Sequence, residues 1–401
     1  MSQQVIIIGG GAAGYFSAIN IAEKHPDYKI TILEKAGKGL AKVKVSGGGR
    51  CNVTNQRDNP SELTKFYPRG QKQLHLVFKA FTTSDMVRWL SQRGVDTVAE
   101  ADQRVFPVSN SSQTIIDCFV NRSYELGIKT HYHTAVKAIS TDSGEWIIET
   151  NQGKYEADKV IFATGSTPSS LNILSDLGLE ITPLAPSLFT FNIDDPRLHN
   201  LPGVSFENVH IKVVKSKLEE SGPLLITHWG LSGPVVLKLS AWGALELKER
   251  KYDFGVLINF VPGLNQEEVR STLQELKTTS PKKKTMGAVQ FGLPKRFWER
   301  MCATAGILDE QQNLDLSKKQ INKLIEELTQ GLYPVKGKST FKEEFVTCGG
   351  VSLKEVSLKT FECKRFPGLY LAGEVLDIDG ITGGFNFQAC WSAGWVISEN
   401  I

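Results

Sequence analysis

The sequence lacks several features that would each assign it to a particular class of protein. None of its six cysteines belongs to a C-x-x-C pair, which argues against a zinc site and against a thioredoxin-like redox pair. Scattered free thiols are typical of a reducing compartment. The apolar run at residues 5–8 is far too short for a signal peptide or a membrane span, and no other long apolar stretch follows it. These absences predict a cytoplasmic protein with no bound metal and no membrane partner.

A marked excess of charge is also absent. The 401 residues carry 46 basic and 43 acidic side chains, a net charge of +3, so the composition does not indicate a nucleic-acid partner. The dense basic run at residues 282–284 follows Pro281 and is interpreted as a solvated loop. The length allows two or three domains, and nothing in the sequence indicates an oligomeric state.

A short strand, a glycine-rich turn and a helix are present near the start of the chain. The strand at residues 5–8 is followed by glycines at the spacing G-x-G-x-x-G, namely Gly9, Gly11 and Gly14. Gly9 permits the tight turn, Gly11 permits the backbone to approach a pyrophosphate, and Gly14 permits the helix to pack against the strand. This pattern predicts a dinucleotide site, and by itself it does not distinguish NAD from FAD.

The residues around this turn add to the predicted site. The helix would present backbone N–H groups to phosphate from its first turn, at Ala12 and Ala13. A second strand, at residues 29–33, ends in Glu34, which is placed to bind ribose hydroxyls. Lys35 is the first of several basic residues that follow, and it is included in the predicted cofactor site.

The segment KVSGGGRCNVTN, residues 44–55, has three consecutive glycines that neither a helix nor a strand favours. Backbone N–H groups of such a loop form an anion-binding concavity, and Arg50 adds donors for a phosphate or a substrate carboxylate. Cys51 has no second cysteine near it in sequence, so a packed thiol is favoured over a redox-active one. The residues expected along the cofactor are Ser46, Gly47, Gly48, Gly49, Arg50, Cys51 and Asn52.

Further candidate cofactor residues come from the middle and the end of the chain. Residues 145–150 and 155–163 are predicted to pair as a hairpin that ends in small residues, which mark close approach of backbone to a ligand. Near the C-terminus, a strand at residues 368–372 runs into a glycine-rich loop and a final helix. A cofactor-binding site formed by both ends of a chain suits FAD better than NAD. The predicted residues are Val136, Ala163, Thr164, Gly165, Gly373, Glu374, Asp377, Gly380, Gly383, Gly384, Phe385, Asn386, Phe387 and Gln388.

Four segments spread along essentially the whole chain resemble one family of flavoproteins. They read VIIIGGGAAG, SGGGRCNVTN, THWGLSGP and GLYLAGEVLDIDGITGGFNFQACWSAG. The sequence is similar to the bacterial and archaeal NAD(P)/FAD-dependent oxidoreductases that include aminoacetone oxidase and bile-acid-inducible flavoproteins. One segment departs from the pattern, since GKGLAKVKVSGGG is a little longer than GRKLxxSGGG. This departure leaves open which of its lysines faces the nucleotide.

The resemblance implies an FAD domain interrupted by a β-barrel-like domain that itself carries helices, and the pattern of the middle segment agrees. We predict an α/β fold with a Rossmann-like FAD-binding domain of the glutathione-reductase type. The predicted boundaries are residues 1–187 and 346–401 for the FAD-binding domain, 188–262 and 335–345 for the β-barrel-like insertion, and 263–334 for a helical subdomain.

We predict an FAD-dependent oxidoreductase that transfers hydride between flavin N5 and a small organic substrate or NAD(P)H. The sequence shows no second G-x-G-x-x-G motif, so NAD(P)H is expected as a transient donor if it binds. The catalytic acid or base is not identified; His228 and Arg50 are candidates, and a structural role for His228 is an equally good interpretation. Two alternatives stay open: an FAD-dependent RNA-modifying enzyme, which a basic stripe would favour, and a non-catalytic flavin redox sensor.

Overall fold

The computed structural model describes residues 3–142, 144–339 and 346–401. These residues form two compact units. The first unit consists of residues 3–186 and 346–401, and the second consists of residues 187–339. Within the described residues, no helix combines the length and the apolar character needed to cross a bilayer.

The first unit is built on a seven-stranded sheet in which five neighbouring strands run parallel. The middle strand of these five, Gln4–Ile8, is almost wholly apolar and is buried along residues 5–8, as expected for a parallel strand covered on both faces. Two short antiparallel strands complete one edge. The strands in spatial order are Val356–Ser357, Glu362–Cys363, Leu369–Leu371, Lys159–Phe162, Gln4–Ile8, Lys29–Leu33 and Lys129–His131.

The first and the last helix of the chain, Ala12–Lys24 and Phe385–Asn400, pack against each other in this unit. Gly394 lies at their close contact, because a Cβ there would lie 2.9 Å from the Ser17 hydroxyl oxygen and 3.2 Å from the backbone nitrogen of Ser17. The other helices of the unit are Ala41–Gly49, Pro60–Leu63, Gln71–Ala80, Thr83–Ser91, Ser112–Glu125 and Pro168–Asp176, with 3-10 turns at Thr64–Phe66 and Gly373–Val375.

Smaller sheets accompany this seven-stranded sheet. One contains Thr54–Asn55, Thr97–Ala99 and Arg104–Pro107. Another contains Val136–Asp142, Glu145–Thr150 and Gly153–Ala157. A further short pair is formed by Ala185–Ser187 and Val346–Cys348.

The predicted hairpin between residues 145–150 and 155–163 is wrong in its second arm. Glu145–Thr150 pairs with Gly153–Ala157 alone, and the chain then leaves this sheet at Asp158. Lys159–Phe162 joins the parallel sheet beside Gln4–Ile8. The side chain of Asp158 supports this change of sheet, because it accepts a hydrogen bond from the backbone of Gln4 at 2.7 Å.

The second unit contains a seven-stranded antiparallel sheet and five helices among its described residues. Burial alternates along strands such as Asp253–Asn259, so one face of the sheet is apolar. In spatial order the strands are Gly331–Lys336, Asp253–Asn259, Ser205–Val213, Glu219–Thr227, Gly230–Ser232, Thr190–Asn192 and Lys338–Ser339.

Both ends of this strand order belong to one stretch of chain, residues 331–339. Gly337 links the two ends, because its N–H donates to the carbonyl oxygen of Tyr252 and its carbonyl accepts from the N–H of Asn192. The bend at Gly337 therefore connects the two edge strands of this sheet, and the predicted barrel-like closure stays a prediction.

The helices of the second unit share the hydrophobic core of its sheet. Side chains such as Val269, Leu273 and Leu324 belong to the same buried cluster as Ile258 of the sheet. The helices are Pro234–Trp242, Ala244–Glu249, Gln266–Thr279, Lys295–Thr304 and Lys318–Gln330, with 3-10 turns at Thr285–Gly287 and Asn313–Asp315.

Candidate cofactor site

The glycines of the G-x-G-x-x-G turn are needed for two different physical reasons. A Cβ at Gly14 would lie 2.0 Å from the carbonyl oxygen of Gly9, and a Cβ at Gly9 would lie 2.6 Å from the carbonyl oxygen of Ala163. Packing of the chain on itself therefore excludes a side chain at these two positions. At Gly11, by contrast, a Cβ would meet no described atom within 4 Å. Gly11 faces open space, where a ligand can approach the backbone.

The helix Ala12–Lys24 begins at this turn. Gly11 is its N-cap, and within the described part of the chain no side chain caps its first N–H groups. No acidic residue lies in its first turn, where Ala12 and Ala13 are found. The N–H groups and the positive end of the helix dipole are therefore suited to an anionic group such as a phosphate.

Glu34 lies at the end of the strand Lys29–Leu33, and its carboxylate is held by two backbone donors. One oxygen accepts a hydrogen bond from the N–H of Gly10 at 2.7 Å, and the other accepts from the N–H of Ala36 at 2.8 Å. These bonds fix the carboxylate beside the glycine turn and leave lone pairs for further donors. The side chain of Lys35, the next residue, is exposed.

The three glycines of SGGGRCN form a left-handed loop. The helix Ala41–Gly49 departs from helical geometry at Ser46, and Gly47, Gly48 and Gly49 have φ values of 56°, 68° and 85°. Such values favour glycine. A Cβ at Gly48 or Gly49 would meet no atom of the described residues within 4 Å, so open space also lies beside this loop.

Arg50 is held by other parts of the same unit. Its guanidinium group lies 3.9 Å from the ring centroid of Phe106 and forms an ion pair with Glu100. Its Nε donates to the side chain of Asn110 at 2.5 Å. These contacts supply a structural role for Arg50, so its predicted role in binding an anion gains no support from the geometry.

Cys51 is fully buried, and burial raises the pKa of its thiol to about 12. At pH 8 the thiol is therefore neutral, and the thiolate is the form that reacts with alkylating reagents. We expect iodoacetamide at pH 8 to leave Cys51 unmodified in the native protein and to modify it in urea, as measured by peptide mass spectrometry. Cys118 is the internal comparison, because it is less buried and burial raises the pKa of its thiol only to about 11. Preferential labelling of Cys51 in the native protein would instead support a redox-active thiol.

The segment after the glycine loop is hydrogen-bonded to the start of the C-terminal helix. The orientation of the Asn52 side-chain amide follows from its hydrogen-bond partners. In this orientation its oxygen accepts from the N–H of Gly384 and its nitrogen donates to the carbonyl of Thr54, both at 2.9 Å. The Thr54 hydroxyl donates to Gln388 at 2.6 Å, and the Asn55 amide donates to the carbonyl of Gly383 at 3.1 Å. Residues more than 300 positions apart in the chain are thus brought together.

The remaining residues of the TGGFNFQ segment are held mainly by protein contacts. Asn386 closes the loop on itself, because its amide accepts from the N–H of Gly380 and donates to the carbonyl of Gly380, both at 2.8 Å. Phe385 is buried and stacks on Phe66, with ring centroids 4.6 Å apart. Phe387 stacks on Trp391 at 5.5 Å.

A third group of predicted residues lies at the ends of two neighbouring parallel strands. Ala163 follows Lys159–Phe162, and its N–H donates to the carbonyl of Ile8 at 2.8 Å. Gly373 follows Leu369–Leu371 with φ 76°, and a Cβ there would lie 3.0 Å from the Cβ of Ala13. Thr164 and Gly165 continue from Ala163 at this edge. The two strand ends therefore meet at the start of the first helix.

The C-terminal segment supplies two acidic residues among the predicted ones. Glu374 accepts a hydrogen bond from the N–H of Thr347 at 3.0 Å and forms an ion pair with Lys42. Burial raises the pKa of Asp377, although a hydrogen bond from Thr182 acts in the opposite direction. Val136, the other predicted residue, begins the strand Val136–Asp142.

The glycine turn with Ala12 and Ala13, the segment of residues 163–165, and Gly373 with Glu374 follow three neighbouring parallel strands, Gln4–Ile8, Lys159–Phe162 and Leu369–Leu371. Ligands of open α/β sheets bind at this edge. A Cβ at Gly11 would meet no described atom within 4 Å, so open space lies beside the backbone at this edge.

His228 belongs to the second unit. It lies exposed in the two-residue turn between Glu219–Thr227 and Gly230–Ser232. Its ring lies 6.3 Å from that of Trp229, centroid to centroid. The catalytic role of His228 stays a prediction.

Sequence reasoning missed two ion pairs of the first unit. Lys42 pairs with Glu374, and Arg69 pairs with the buried Asp379. The acidic partners lie in a segment that the sequence already identifies as unusual. No spacing rule connects them to their basic partners, because each pair spans more than 300 residues.

Comparison with known proteins gives one family match and several full-length relatives. The family model described as "HI0933-like protein Rossmann domain" matches residues 3–400. A ribosomal RNA dihydrouridine synthase of Escherichia coli (strain K12) is 29% identical over 413 residues, covering 99% of this chain and 97% of that protein. A 3-dehydro-bile acid delta(4,6)-reductase of Clostridium scindens is 26% identical over 403 residues, covering 97% of each.

Solved structures share the fold. The 3-ketosteroid delta1-dehydrogenase from Sterolibacterium denitrificans, in complex with 1,4-androstadiene-3,17-dione, has a TM-score of 0.54 and 9% sequence identity, and the match covers 99% of each chain. At this identity the likeness concerns the fold alone.

Proposed function

Because this chain belongs to the HI0933-like Rossmann-domain family, a family of FAD-dependent oxidoreductases, we propose that it reduces a carbon–carbon double bond conjugated to a carbonyl group. The observation that carries the proposal is a chemistry common to the two full-length relatives. Dihydrouridine is uridine with its ring double bond saturated, and a delta(4,6)-reductase of a 3-dehydro-bile acid saturates ring double bonds conjugated to a ketone. The two substrates differ greatly in size, and the reacting group is the same.

The residues of the first unit fit an FAD molecule. Open space beside Gly11, Gly48 and Gly49 supports an extended ligand along the sheet edge, and the uncapped helix start at Ala12 supports a phosphate there. The carboxylate of Glu34 is oriented by two backbone donors, as a ribose-binding group requires. Bound FAD supplies hydride at its N5 atom. The protein contributes the orientation of the ring and of the substrate and the exclusion of water.

We assign NAD(P)H as a transient electron donor in this proposal. The sequence contains one G-x-G-x-x-G motif, at Gly9 to Gly14, and no second one for a separate nicotinamide domain. We therefore expect NAD(P)H to bind without a separate domain, to transfer hydride to the flavin and then to dissociate. The small organic enone is the first substrate class to test, since the net charge of +3 gives little attraction for RNA.

A uracil base in ribosomal RNA is the second candidate substrate. It is favoured by the dihydrouridine synthase relative, which this chain matches along 99% of its length. Both candidate substrates would be reduced at a carbon–carbon double bond conjugated to a carbonyl group. The same assay, run with each substrate in turn, therefore distinguishes them. A redox sensor without a substrate is the remaining alternative, and it predicts no turnover with either class.

The test is a two-step anaerobic experiment on the purified protein. We expect flavin absorption bands that bleach on addition of NADH or NADPH, and that return when a 4-ene-3-oxosteroid or a ribosomal RNA transcript is added. Mass spectrometry should show that the product carries two more hydrogen atoms than the substrate. The matched controls are the saturated steroid and an RNA in which dihydrouridine replaces uridine. Bands that bleach only with an amine, or that neither acceptor restores, would contradict a double-bond reductase.

A further inference from the structure

A cavity of about 340 Å³ lies within the second unit, beside the turn that contains His228 and Trp229. Of these two turn residues, Trp229 lines the cavity and His228 does not. The segment THWGLSGP, which the sequence identifies as site-like, therefore contributes its tryptophan to this cavity rather than its histidine. The lining residues are Asn192, Ile193, Asp194, Trp229, Pro334, Lys336 and Ser339.

The turn is held beside the strand Thr190–Asn192 by backbone contacts. The carbonyl of Trp229 accepts a hydrogen bond from the N–H of Ile193 at 2.9 Å. A Cβ at Gly230, the next residue of the turn, would lie 2.3 Å from the carbonyl oxygen of Phe191. Only a glycine allows the backbone to approach so closely, and the tryptophan is thereby fixed next to the end of this strand.

The exposure of Trp229 is unusual for so large an apolar side chain. The residue is 52% exposed, although tryptophan is highly buried on average. An aromatic ring at the wall of a cavity offers a flat face on which a planar ring can stack. Trp229 is therefore suited to bind a flat ligand.

Asn192 supplies a hydrogen-bond donor to the same cavity. Its side-chain oxygen accepts from the hydroxyl of Ser339 at 2.7 Å, so its NH₂ group is the part that is left to donate. Among the residues that the structure describes, none accepts a hydrogen bond from that NH₂ group. A carbonyl oxygen of a ligand is the matching acceptor.

The charges and the size of the cavity restrict the ligand further. Lys336 and Asp194 are both exposed and have opposite charges, and Asp194 also contacts His199 at 3.0 Å. The lining therefore has no large excess of either charge, which favours a neutral ligand over a phosphate or a carboxylate. The volume lies near the lower end of the range for small-molecule sites, roughly 300–1,000 Å³, so it suits one or two rings or one end of a larger ligand.

We propose that this cavity binds the planar conjugated ring of the substrate, with the ring stacked on Trp229 and a ring carbonyl oxygen accepting from the NH₂ group of Asn192. The proposal rests on the double-bond reduction proposed above, because that chemistry defines the class of ligand. A uracil base and the enone ring of a 3-oxosteroid are both neutral and both carry the conjugated carbonyl group. Saturation of the double bond makes the ring non-planar, so stacking distinguishes the substrate from the product.

The experiment measures ligand binding to the purified holoprotein by equilibrium dialysis, with the cofactor oxidised and no electron donor present. The probes are uridine and testosterone, each compared with its saturated counterpart, 5,6-dihydrouridine or 5β-dihydrotestosterone. We expect the wild type to bind at least one unsaturated probe, and to bind it more tightly than its saturated counterpart. W229A should weaken binding of that probe about tenfold and remove this preference, whereas W229F should stay within about threefold of the wild type.

Two further variants separate stacking from hydrogen bonding and from general effects. W242A is the matched control, because Trp242 is 40% exposed in the same unit and does not line the cavity, and its affinity should equal that of the wild type. In N192D the side chain still accepts from Ser339 but has no NH₂ group. Binding should weaken about tenfold for the unsaturated and the saturated probe alike, since both have the carbonyl group, and the preference should remain.

The melting temperature shows whether W229A retains its fold. It should stay near that of the wild type, because the tryptophan is half exposed. If W229A is less stable, W229L decides in its place, since leucine keeps an apolar side chain without an aromatic face. W229L should also lose the preference for the unsaturated probe.

The outcomes distinguish this site from the function on which it rests. The proposal is wrong if W229A and W242A bind the probes alike, if the aromatic face is removed and the preference persists, or if the wild type binds neither probe. In each of these cases the double-bond reductase stands when the holoprotein still reduces a candidate substrate. If the expected pattern is found and neither probe is reduced, the ring site stands and the proposed function fails.

Discussion

Replacing Gly14 with alanine is expected to lower the free energy of unfolding by about 3 kcal/mol and to abolish FAD binding. The added methyl group would lie 2.0 Å from the carbonyl oxygen of Gly9 and 3.4 Å from the side chain of Ile7. A backbone oxygen cannot move aside as the end of a flexible side chain can. The helix Ala12–Lys24 would have to separate from the strand Gln4–Ile8, which lies at the centre of the parallel strands. Urea unfolding of the apoprotein and FAD titration measure the two effects.

Replacing Gly11 with alanine is the matched control for that experiment, because it places the same methyl group three residues away in the same turn. A Cβ at Gly11 would meet no described atom within 4 Å, and the φ of −91° is accessible to alanine. We expect the stability of the apoprotein to change by no more than about 1 kcal/mol. FAD affinity should fall at least about tenfold, because the methyl group fills space predicted for the pyrophosphate. Equal effects of the two substitutions on stability would refute this division between packing and binding.

Local glycine patterns made much of the site predictable from sequence. A run such as residues 47–49 has few physical explanations other than left-handed backbone, and the structure shows that backbone. Gly373 and Gly384 likewise mark places where the chain packs closely on itself. Glycine runs and glycine spacings are visible in a single sequence, although the atoms that exclude a side chain at Gly9, Gly373 and Gly384 belong to distant parts of the chain. Their assignment to FAD contacts stays a prediction.

The one error and the omissions have a common physical origin, since each depends on contacts between distant parts of the chain. Residues 155–163 form one continuous pattern in sequence, and periodicity could not show that Asp158 separates two sheets. The contacts of Arg50 with Glu100 and Asn110 are likewise fixed by folding rather than by spacing, and its role toward a ligand stays a prediction. Long-range ion pairs are the feature that sequence reasoning predicts least.

The buried pair of Arg69 and Asp379 gives the second large effect. The Asp379 side chain is fully buried and that of Arg69 is 15% exposed, and both carboxylate oxygens accept from the guanidinium group. The pair joins the segment after the turn Thr64–Phe66 to the loop that precedes Gly380. Removing the arginine would leave a carboxylate buried without this partner, and such a change typically costs about 3 kcal/mol or more.

We therefore expect R69M to lower the free energy of unfolding by about 3 kcal/mol, and R69M/D379N to recover part of that loss because the buried charge is gone. R88M is the matched control: Arg88 pairs with Asp85 on a helix surface, and its side chain is 66% exposed, so its loss should cost less than about 1 kcal/mol. The free energies of unfolding of the wild type and the three variants are measured by urea denaturation. If R69M and R88M cost the same, or if D379N adds to the loss in R69M, the pair does not hold this loop through its buried charge. If the pair does hold the loop, R69M should also weaken FAD binding, because Gly380 and the residues from Gly383 to Gln388 are predicted to line the cofactor.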